Sequence, residues 1–146
     1  MSPAASAAEL RAWITAKLDP ADAAVDGLHS DYDMNPHARP AGAPLPLRPA
    51  AVLAPLIMRE KGLTVLLTRR ADTLRQHTGQ IAFPGGRCDP GETPVETALR
   101  EAREEIGLDP SFVEVAGLLT PYETVTAYRV IPVVAFVRPG FTLTLN

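Results

Sequence analysis

The chain has 146 residues, of which 46% are apolar and 21% charged, and its formal net charge is −3. These values are typical of one globular domain with its own hydrophobic core. The negative charge argues against a nucleic-acid-binding protein, which would carry a basic excess. A single cysteine, Cys88, excludes an internal disulfide framework and indicates a reducing compartment. Because no apolar run approaches the roughly 20 residues that span a bilayer and no signal-peptide pattern is present, we expect a cytoplasmic protein that does not enter a membrane.

The first third of the sequence predicts one short helix followed by a long connector. Ser6 and Glu9 form a capping-box pattern, and apolar residues at helical spacing follow them, which predicts a helix over about 7–17. Residues 19–49 are rich in proline and have little periodicity, so we expect an extended connector without regular structure. We therefore divide the chain into residues 1–49, the N-terminal helix and proline-rich connector, and residues 50–146, the main domain.

Apolar, β-prone runs predict the strands of the main domain. The predicted strands are residues 50–58, 63–68, 80–83, 113–119 and 130–137. The first two are separated by a polar segment that ends in Gly62, which predicts a hairpin, and residues 121–127 are expected to form an irregular link. Strands on both sides of one central helix predict a mixed α/β or α+β fold. The sequence stops within a β-like alternation at residues 141–146, so we expect a C-terminally truncated product.

Local signals at both ends predict the central helix over residues 94–106. Thr93 and Glu96 form a capping box, Pro94 stands at the first helical position, and Gly107 follows as a C-terminal stop. One face of this helix is an apolar stripe that we expect to pack on the sheet. The stripe consists of Val95, Ala98, Leu99, Ala102 and Ile106.

Three glutamates, Glu101, Glu104 and Glu105, lie together on another face of the same helix. Like charges at this spacing cost a few tenths of a kcal/mol per pair on an isolated helix. Two interpretations are open. The glutamates form either a solvated acidic face that Arg100 and Arg103 offset, or a site that holds a cation between them.

The helix and the loop before it together form a recognisable motif. Residues 86–108, GRCDPGETPVETALREAREEIGL, resemble the Nudix box: G, five residues, E, seven residues, then REUxEExGU, with U a bulky aliphatic. The fixed positions and the final aliphatic are filled by Gly86, Glu92, Arg100, Glu101, Glu104, Glu105, Gly107 and Leu108. Ala102 departs from the pattern, since it is small where a bulky residue is expected. The resemblance identifies residues 50–146 as a Nudix hydrolase domain, with a mixed β-sheet sandwiched between helices and the box as loop-helix-loop.

The resemblance also implies a chemistry for the glutamates. Nudix enzymes hydrolyse nucleoside diphosphates linked to another moiety, and they use Mg²⁺ or Mn²⁺, hard cations that prefer oxygen ligands. By the family pattern, Glu101 and Glu105 are the first metal ligands. Glu104 is a further ligand or the group that orients the attacking water. All three are therefore the predicted catalytic residues.

Other box residues are expected to support this arrangement. By the resemblance, Glu92 and Arg100 hold the loop against the helix through an ion pair, with direct contact to substrate as the alternative. Gly86 and Gly107 are assigned to structural support of the box.

A second motif lies directly upstream of the box. Residues 66–86 are similar to the additional signature of the coenzyme A pyrophosphatases within the Nudix superfamily, LLTxR[SA], three residues, R, three residues, G, three residues, FPGG. The matching residues are Leu66, Leu67, Thr68, Arg70, Ala71, Arg75, Gly79, Phe83, Pro84, Gly85 and Gly86. The similarity implies cleavage of coenzyme A or its thioesters to 3′,5′-ADP and (acyl) 4′-phosphopantetheine. Arg70 and Arg75 are the candidate substrate-binding residues, because the 3′-phosphate of coenzyme A favours additional cationic groups.

Other interpretations remain open from the sequence. Arg70 and Arg75 could instead pair with Asp72 or with the box glutamates. The substrate could be NADH, ADP-ribose or a nucleoside triphosphate, and the domain could be a catalytically silent module that binds a nucleotide. The complete set of glutamates argues against the silent module, because a binding protein does not need three carboxylates that repel one another.

Overall fold

The computed structural model describes residues 6–42, 46–69 and 81–145 of the chain. The helices are α1 (Ala7–Ala16) and α2 (Pro94–Ile106), with 3₁₀ turns at Pro36–Ala38 and Pro110–Phe112. The strands are β1 (His29–Ser30), β2 (Arg48–Arg59), β3 (Gly62–Val65), β4 (Thr68–Arg69), β5 (Ile81–Ala82), β6 (Gly85–Arg87), β7 (Val113–Leu118), β8 (Tyr122–Glu123) and β9 (Tyr128–Val137). Within the described part of the chain, neither helix has both the length and the apolar character required to cross a membrane.

Most strands join one mixed sheet in the order β1-β8-β9-β2-β3, with β6 added to β2 and β7 added to β9. The two long strands, β2 and β9, run parallel at its centre, from Arg48 opposite Tyr128 to Ile57 opposite Val137. β2 also forms the predicted hairpin with β3. β4 and β5 pair separately as a two-stranded sheet. The prediction of a mixed α+β fold is confirmed.

Helix α2 begins and ends where the sequence predicts. The Thr93 side chain accepts a hydrogen bond from the Glu96 backbone N–H and the Glu96 side chain accepts one from Thr93 N–H, which completes the capping box. Gly107 ends the helix in the left-handed conformation, with φ of 68°, which glycine adopts without the steric cost of a side chain. The bounds of α2 therefore follow from local chemistry alone.

The hydrophobic core lies between α2 and one face of the sheet. Side chains alternate along a strand, so every second residue of β2 and β9 points towards the helix. These residues are Ala51, Leu53 and Ile57 on β2 and Ile131, Val133, Ala135 and Val137 on β9. From the helix, Ala98, Ala102 and Ile106 are buried, and Val95 and Leu99 pack at the edge of the same cluster. Burying a side chain as large as Ile106 stabilises the fold by about 2 kcal/mol.

Helix α1 lies over the opposite face of the sheet. The Arg11 guanidinium is 4.4 Å from the ring centroid of Phe136, which alternates to the side away from Ala135 and Val137. Arg11 also forms an ion pair with Glu114 of β7. No residue of α1 is buried, although its apolar residues Leu10 and Ile14 are half-buried. The sheet thus lies between two helices, as predicted.

Two segments that the sequence analysis describes as irregular contribute strands to the sheet. Residues 19–49 include β1, and the link at 121–127 includes β8, which pairs with β1 in parallel and with β9 in antiparallel fashion. Both strands are only two residues long, and their pairing partners are distant in sequence, so local patterns do not reveal them. The alternation at 141–145, by contrast, does not form a strand. Its backbone packs at the end of α2, where Thr144 N–H donates to Ile106 C=O at 2.8 Å.

The buried carboxylate of Glu123 binds the connector to the sheet, and it predicts that the stability of the fold depends on pH. Glu123 accepts hydrogen bonds from Ser30 Oγ at 2.7 Å and from both terminal nitrogens of Arg39 at 2.8 and 3.2 Å. The Arg39 guanidinium, and next the Ser30 hydroxyl, lower the pKa of Glu123 below its ordinary value of 4.5. Because the lowered pKa belongs to the folded state, this stabilisation is present above the unfolded pKa and is lost as the pH falls through the folded value.

We expect Glu123→Gln to lower the free energy of unfolding at about pH 7, with the deficit shrinking as the pH falls below the ordinary glutamate pKa. Urea denaturation of the wild type and the variant at several pH values measures this difference, and other acidic groups cancel between the two proteins. Glu114→Gln, an exposed carboxylate on β7, serves as the control. A deficit that stays constant with pH would contradict the assignment.

Candidate active site

Strand β6 brings the start of the box against the base of α2. Gly86 of β6 pairs with Ala51 of β2, whose side chain faces the helix. A Cβ atom on Gly86 would lie 2.7 Å from both Cδ and Oε1 of Glu101. Carbon and oxygen atoms do not approach that closely without a bond, so the absence of a side chain at position 86 is what allows the Glu101 carboxylate to lie there.

Hydrogen bonds between Asp89 and Glu92 stabilise the loop between β6 and α2. Glu92 N–H donates to Asp89 C=O at 3.0 Å, and Asp89 N–H donates to Glu92 Oε1 at 2.8 Å. The Thr97 hydroxyl, fully buried on α2, donates to the same Glu92 oxygen at 2.9 Å. Thr97 could not be identified from the sequence, because a lone threonine within a helix has no distinctive pattern. Its partner is visible only when the loop folds back.

Arg100 connects this loop to the glutamates. Its Nε and Nη2 donate to the two oxygens of Glu92 at 2.7 and 3.0 Å, the two-point geometry that suits a guanidinium and a carboxylate. Nη2 also donates to Arg87 C=O at 3.1 Å. The third nitrogen, Nη1, donates to Glu101 Oε1 at 3.0 Å and to Glu104 Oε2 at 3.2 Å. The ion pair expected between Glu92 and Arg100 is therefore present, and its guanidinium also reaches two of the three glutamates.

The pKa values of Glu92 and Arg100 are shifted in the directions that favour their charged forms. The hydrogen bonds from Arg100, followed by the one from Asp89 N–H, lower the pKa of Glu92 to about 2. The pKa of Arg100 is raised, chiefly by Glu92 and further by Glu101. Glu92 is thus ionised throughout the physiological range, and its position against the helix does not depend on pH there.

The three glutamates differ in their surroundings. The Glu101 side chain is 18% exposed beside Gly86, and that of Glu104 is 58% exposed. Glu105 is half-buried one turn after Glu101. Their carboxylates are oxygen donors of the kind that Mg²⁺ and Mn²⁺ prefer, and Gly86 leaves the space that the Glu101 carboxylate occupies. The donor chemistry therefore fits a hard divalent cation.

In their present side-chain conformations the glutamates do not converge. Across residues 6–42, 46–69 and 81–145, no three His, Cys, Asp or Glu side chains are placed so that they could together hold a metal ion. Nη1 of Arg100 contacts one oxygen of Glu101 and one oxygen of Glu104 in this arrangement. The assignment of Glu101, Glu104 and Glu105 as ligands remains a prediction.

The other predicted site residues are placed as follows. Gly107 lies against the C-terminal segment, and a Cβ there would come within 2.9 Å of Thr144 N. Arg70 and Arg75, predicted to bind substrate, lie outside the described residues, so their prediction is untested.

A cavity of about 390 Å³ lies beside the box loop. It is lined by Pro49, Ala50, Cys88, Asp89, Pro90, Gly91, Glu92, Pro94, Arg129 and Ile131. None of the three glutamates lines it, and Glu92, one of its two carboxylates, is held by Arg100. The cavity therefore does not test the prediction made for the glutamates of α2.

The fold is a mixed sheet between two helices. Arg100 connects the glutamates of α2 to strand β6 and to the loop that follows it. This combination is typical of the Nudix class of folds. The family model for the NUDIX domain matches residues 47–141, and the chain belongs to the Nudix family.

Relatives and solved structures agree with this assignment. The chain is similar to the uncharacterized Nudix hydrolase NudL of Yersinia enterocolitica, with 48% identity over 94 residues that cover 64% of this chain and 48% of the relative. The NudL of Yersinia pestis strain Pestoides F is 52% identical over 91 residues, which cover 62% of this chain and 45% of the relative. The chain thus spans about half the length of these curated relatives. Among solved structures, the Nudix hydrolase RenU of M. smegmatis superposes with a TM-score of 0.59 and 26% identity, covering 70% of this chain and 66% of that one.

Proposed function

We propose that this chain is a metal-dependent Nudix pyrophosphatase that hydrolyses the diphosphate of coenzyme A or its thioesters, giving 3′,5′-ADP and (acyl) 4′-phosphopantetheine. The observation that carries the hydrolase proposal is the position of Glu101. Its carboxylate lies against Gly86, on the same helix as Glu104 and Glu105, within a Nudix box that departs from the pattern at Ala102. The two curated relatives described above are named Nudix hydrolases, which supports the same reaction class.

Each residue of the box has a role in this mechanism. Glu101 and Glu105 would hold Mg²⁺ or Mn²⁺, and Glu104 would serve as a further ligand or orient the attacking water. When bound, the cation would neutralise the diphosphate and lower the pKa of a coordinated water. Arg100, fixed by Glu92, holds the loop against α2 and donates through Nη1 to Glu101 Oε1.

The substrate assignment depends on the upstream signature at residues 66–86. Coenzyme A differs from most other Nudix substrates in carrying a 3′-phosphate, and Arg70 and Arg75 would supply cationic hydrogen-bond donors for it. We further propose a cytoplasmic location, where the single thiol of Cys88 would remain reduced.

Comparison of substrates at equal concentration with Mn²⁺ tests this proposal. We expect kcat/KM for coenzyme A to exceed the values for NADH, ADP-ribose and a nucleoside triphosphate by about tenfold or more, the discrimination of a few well-placed charged hydrogen bonds. A clear preference for NADH or ADP-ribose would exclude the coenzyme A assignment but keep the hydrolase. Binding of coenzyme A without any product, in the presence of Mg²⁺ or Mn²⁺, would indicate the silent binding module.

Dephospho-coenzyme A, which lacks only the 3′-phosphate, is the matched control for Arg70 and Arg75. We expect Arg70→Gln and Arg75→Gln to raise KM for coenzyme A and to leave KM for dephospho-coenzyme A nearly unchanged. An equal effect on both substrates would show that these arginines support the fold or the diphosphate rather than the 3′-phosphate.

A further inference from the structure

We propose that Nη1 of Arg100 acts as an internal counter-charge that competes with the metal for Glu101 and Glu104, so that Arg100 sets the metal affinity of the site. This inference rests on the proposed function, because it takes these glutamates as ligands. It assigns to Arg100 a role opposite to simple support. The arginine holds the loop with one side of its guanidinium and blocks the ligands with the other.

The contacts of Arg100 divide into two groups with different partners. Nε and Nη2 face Glu92, the closest contact being 2.7 Å, and Nη2 also reaches Arg87 C=O. Nη1 contacts two glutamates of α2, at 3.0 Å from Glu101 Oε1 and 3.2 Å from Glu104 Oε2. Nε and Nη2 therefore bind the loop, and Nη1 contacts the glutamates proposed as metal ligands.

The contacts of Nη1 are also weaker than those of Nε and Nη2. Glu92 is 17% exposed and accepts further hydrogen bonds from Asp89 N–H and the Thr97 hydroxyl, so it is held in place independently of Glu101 and Glu104. The contacts of Nη1 are longer, and the one to Glu104 joins a side chain that is 58% exposed. Charge pairs with exposed partners are weak. Rotation of Glu104 away from Nη1, with a turn of the Glu101 carboxylate in its place beside Gly86, would thus leave the loop intact.

Competition follows from the chemistry of the carboxylates. Nη1 occupies one oxygen of Glu101 and one of Glu104, which leaves a cation fewer of their lone pairs, and a guanidinium close to a bound cation repels it. The site therefore exchanges one cationic partner for another when metal binds. Since Arg100 keeps its bonds to Glu92, the exchange requires only a change in side-chain conformation and no displacement of α2.

The direction in which metal affinity changes when Arg100 is removed distinguishes competition from simple support. If Arg100 only positions Glu101 for the metal, its removal weakens metal binding. If Nη1 competes with the metal, its removal strengthens metal binding. We expect Arg100→Gln to bind Mn²⁺ about tenfold more tightly than the wild type, within the usual range of coupling between two sites. Electron paramagnetic resonance of free Mn²⁺ measures this affinity without any substrate.

Arg103→Gln is the control for the charge itself. It removes the same charge from an exposed position of α2, and Arg103 makes none of the contacts described for Arg100. We expect Arg103→Gln to change Mn²⁺ affinity by less than a third of the Arg100→Gln effect. Equal effects of the two variants, or weaker binding in Arg100→Gln, would overturn the inference.

Nitrogen-15 NMR of the wild-type guanidinium tests the same exchange without a mutation, and it applies even if Arg100→Gln does not fold. On titration with Mg²⁺, we expect the Nη1 resonance of Arg100 to shift while its Nε–H resonance, bonded to Glu92, stays in place. Movement of both resonances, or of neither, would overturn the inference.

The proposed function and this inference fail in different ways. Loss of Mn²⁺ binding in Glu105→Gln, with binding retained in the wild type, supports the glutamate site. Against that background, an unchanged affinity in Arg100→Gln overturns the role of Arg100 alone. A wild-type protein that binds no Mn²⁺ overturns both.

Discussion

Glu105→Gln is expected to reduce kcat by about 10³-fold, within the range observed when a group that activates the nucleophile is removed. The substitution keeps the shape of the side chain and removes its charge, so it removes the proposed metal ligand without creating a cavity. Glu105 lies one turn after Glu101 and is half-buried beside the apolar stripe of α2. We therefore expect the fold to persist, with a midpoint of urea unfolding close to that of the wild type.

Steady-state hydrolysis of coenzyme A and circular dichroism on the same preparation test this prediction together. Glu114→Gln removes the same charge from β7, on an exposed side chain paired with Arg11, and is expected to keep wild-type turnover. Wild-type activity in Glu105→Gln would rule out the role of this residue in the reaction. A loss of both activity and structure would instead show that Glu105 supports the helix.

Helix α2 could be predicted from sequence to its end residues because the forces that bound it are local. The capping box of Thr93 and Glu96 and the left-handed Gly107 act within a few residues. Strands β1 and β8 could not be predicted, since each is two residues long and is stabilised by partners far along the chain. The Ser30–Glu123 hydrogen bond joins residues 93 positions apart, and no local window contains both.

The same distinction applies to the site. The box pattern identified Glu92 and Arg100 as partners, and their ion pair is present at 2.7 Å. It did not indicate that the guanidinium also contacts Glu101 and Glu104, because that sharing depends on how the loop closes over the helix. The packing of Gly86 against Glu101 likewise depends on the pairing of β6 with β2, which is a tertiary contact.

Two adjacent glycines of β6 provide a second decisive test, because alanine at each would meet a different kind of atom. At Gly85, the new Cβ would overlap the backbone oxygen of Ala51 and lie 2.7 Å from Val52 Cα. Backbone cannot move there without breaking the pairing of β6 with β2. At Gly86, the three atoms nearest to the new Cβ would all belong to the Glu101 carboxylate, the closest at 2.7 Å. That carboxylate is the end of a flexible side chain, and it can rotate away.

We therefore expect the two variants to separate stability from activity. Gly85→Ala should lower the free energy of unfolding by about 3 kcal/mol or more, the upper range for overpacking a rigid site. Gly86→Ala should cost about 1 kcal/mol or less and yet reduce kcat by about 10²-fold, because a proposed metal ligand displaced by about 1 Å would no longer hold the reacting groups in position. Urea denaturation and steady-state hydrolysis on both proteins decide the matter. If Gly86→Ala retained full turnover, the position of the Glu101 carboxylate beside this glycine would have no part in the reaction.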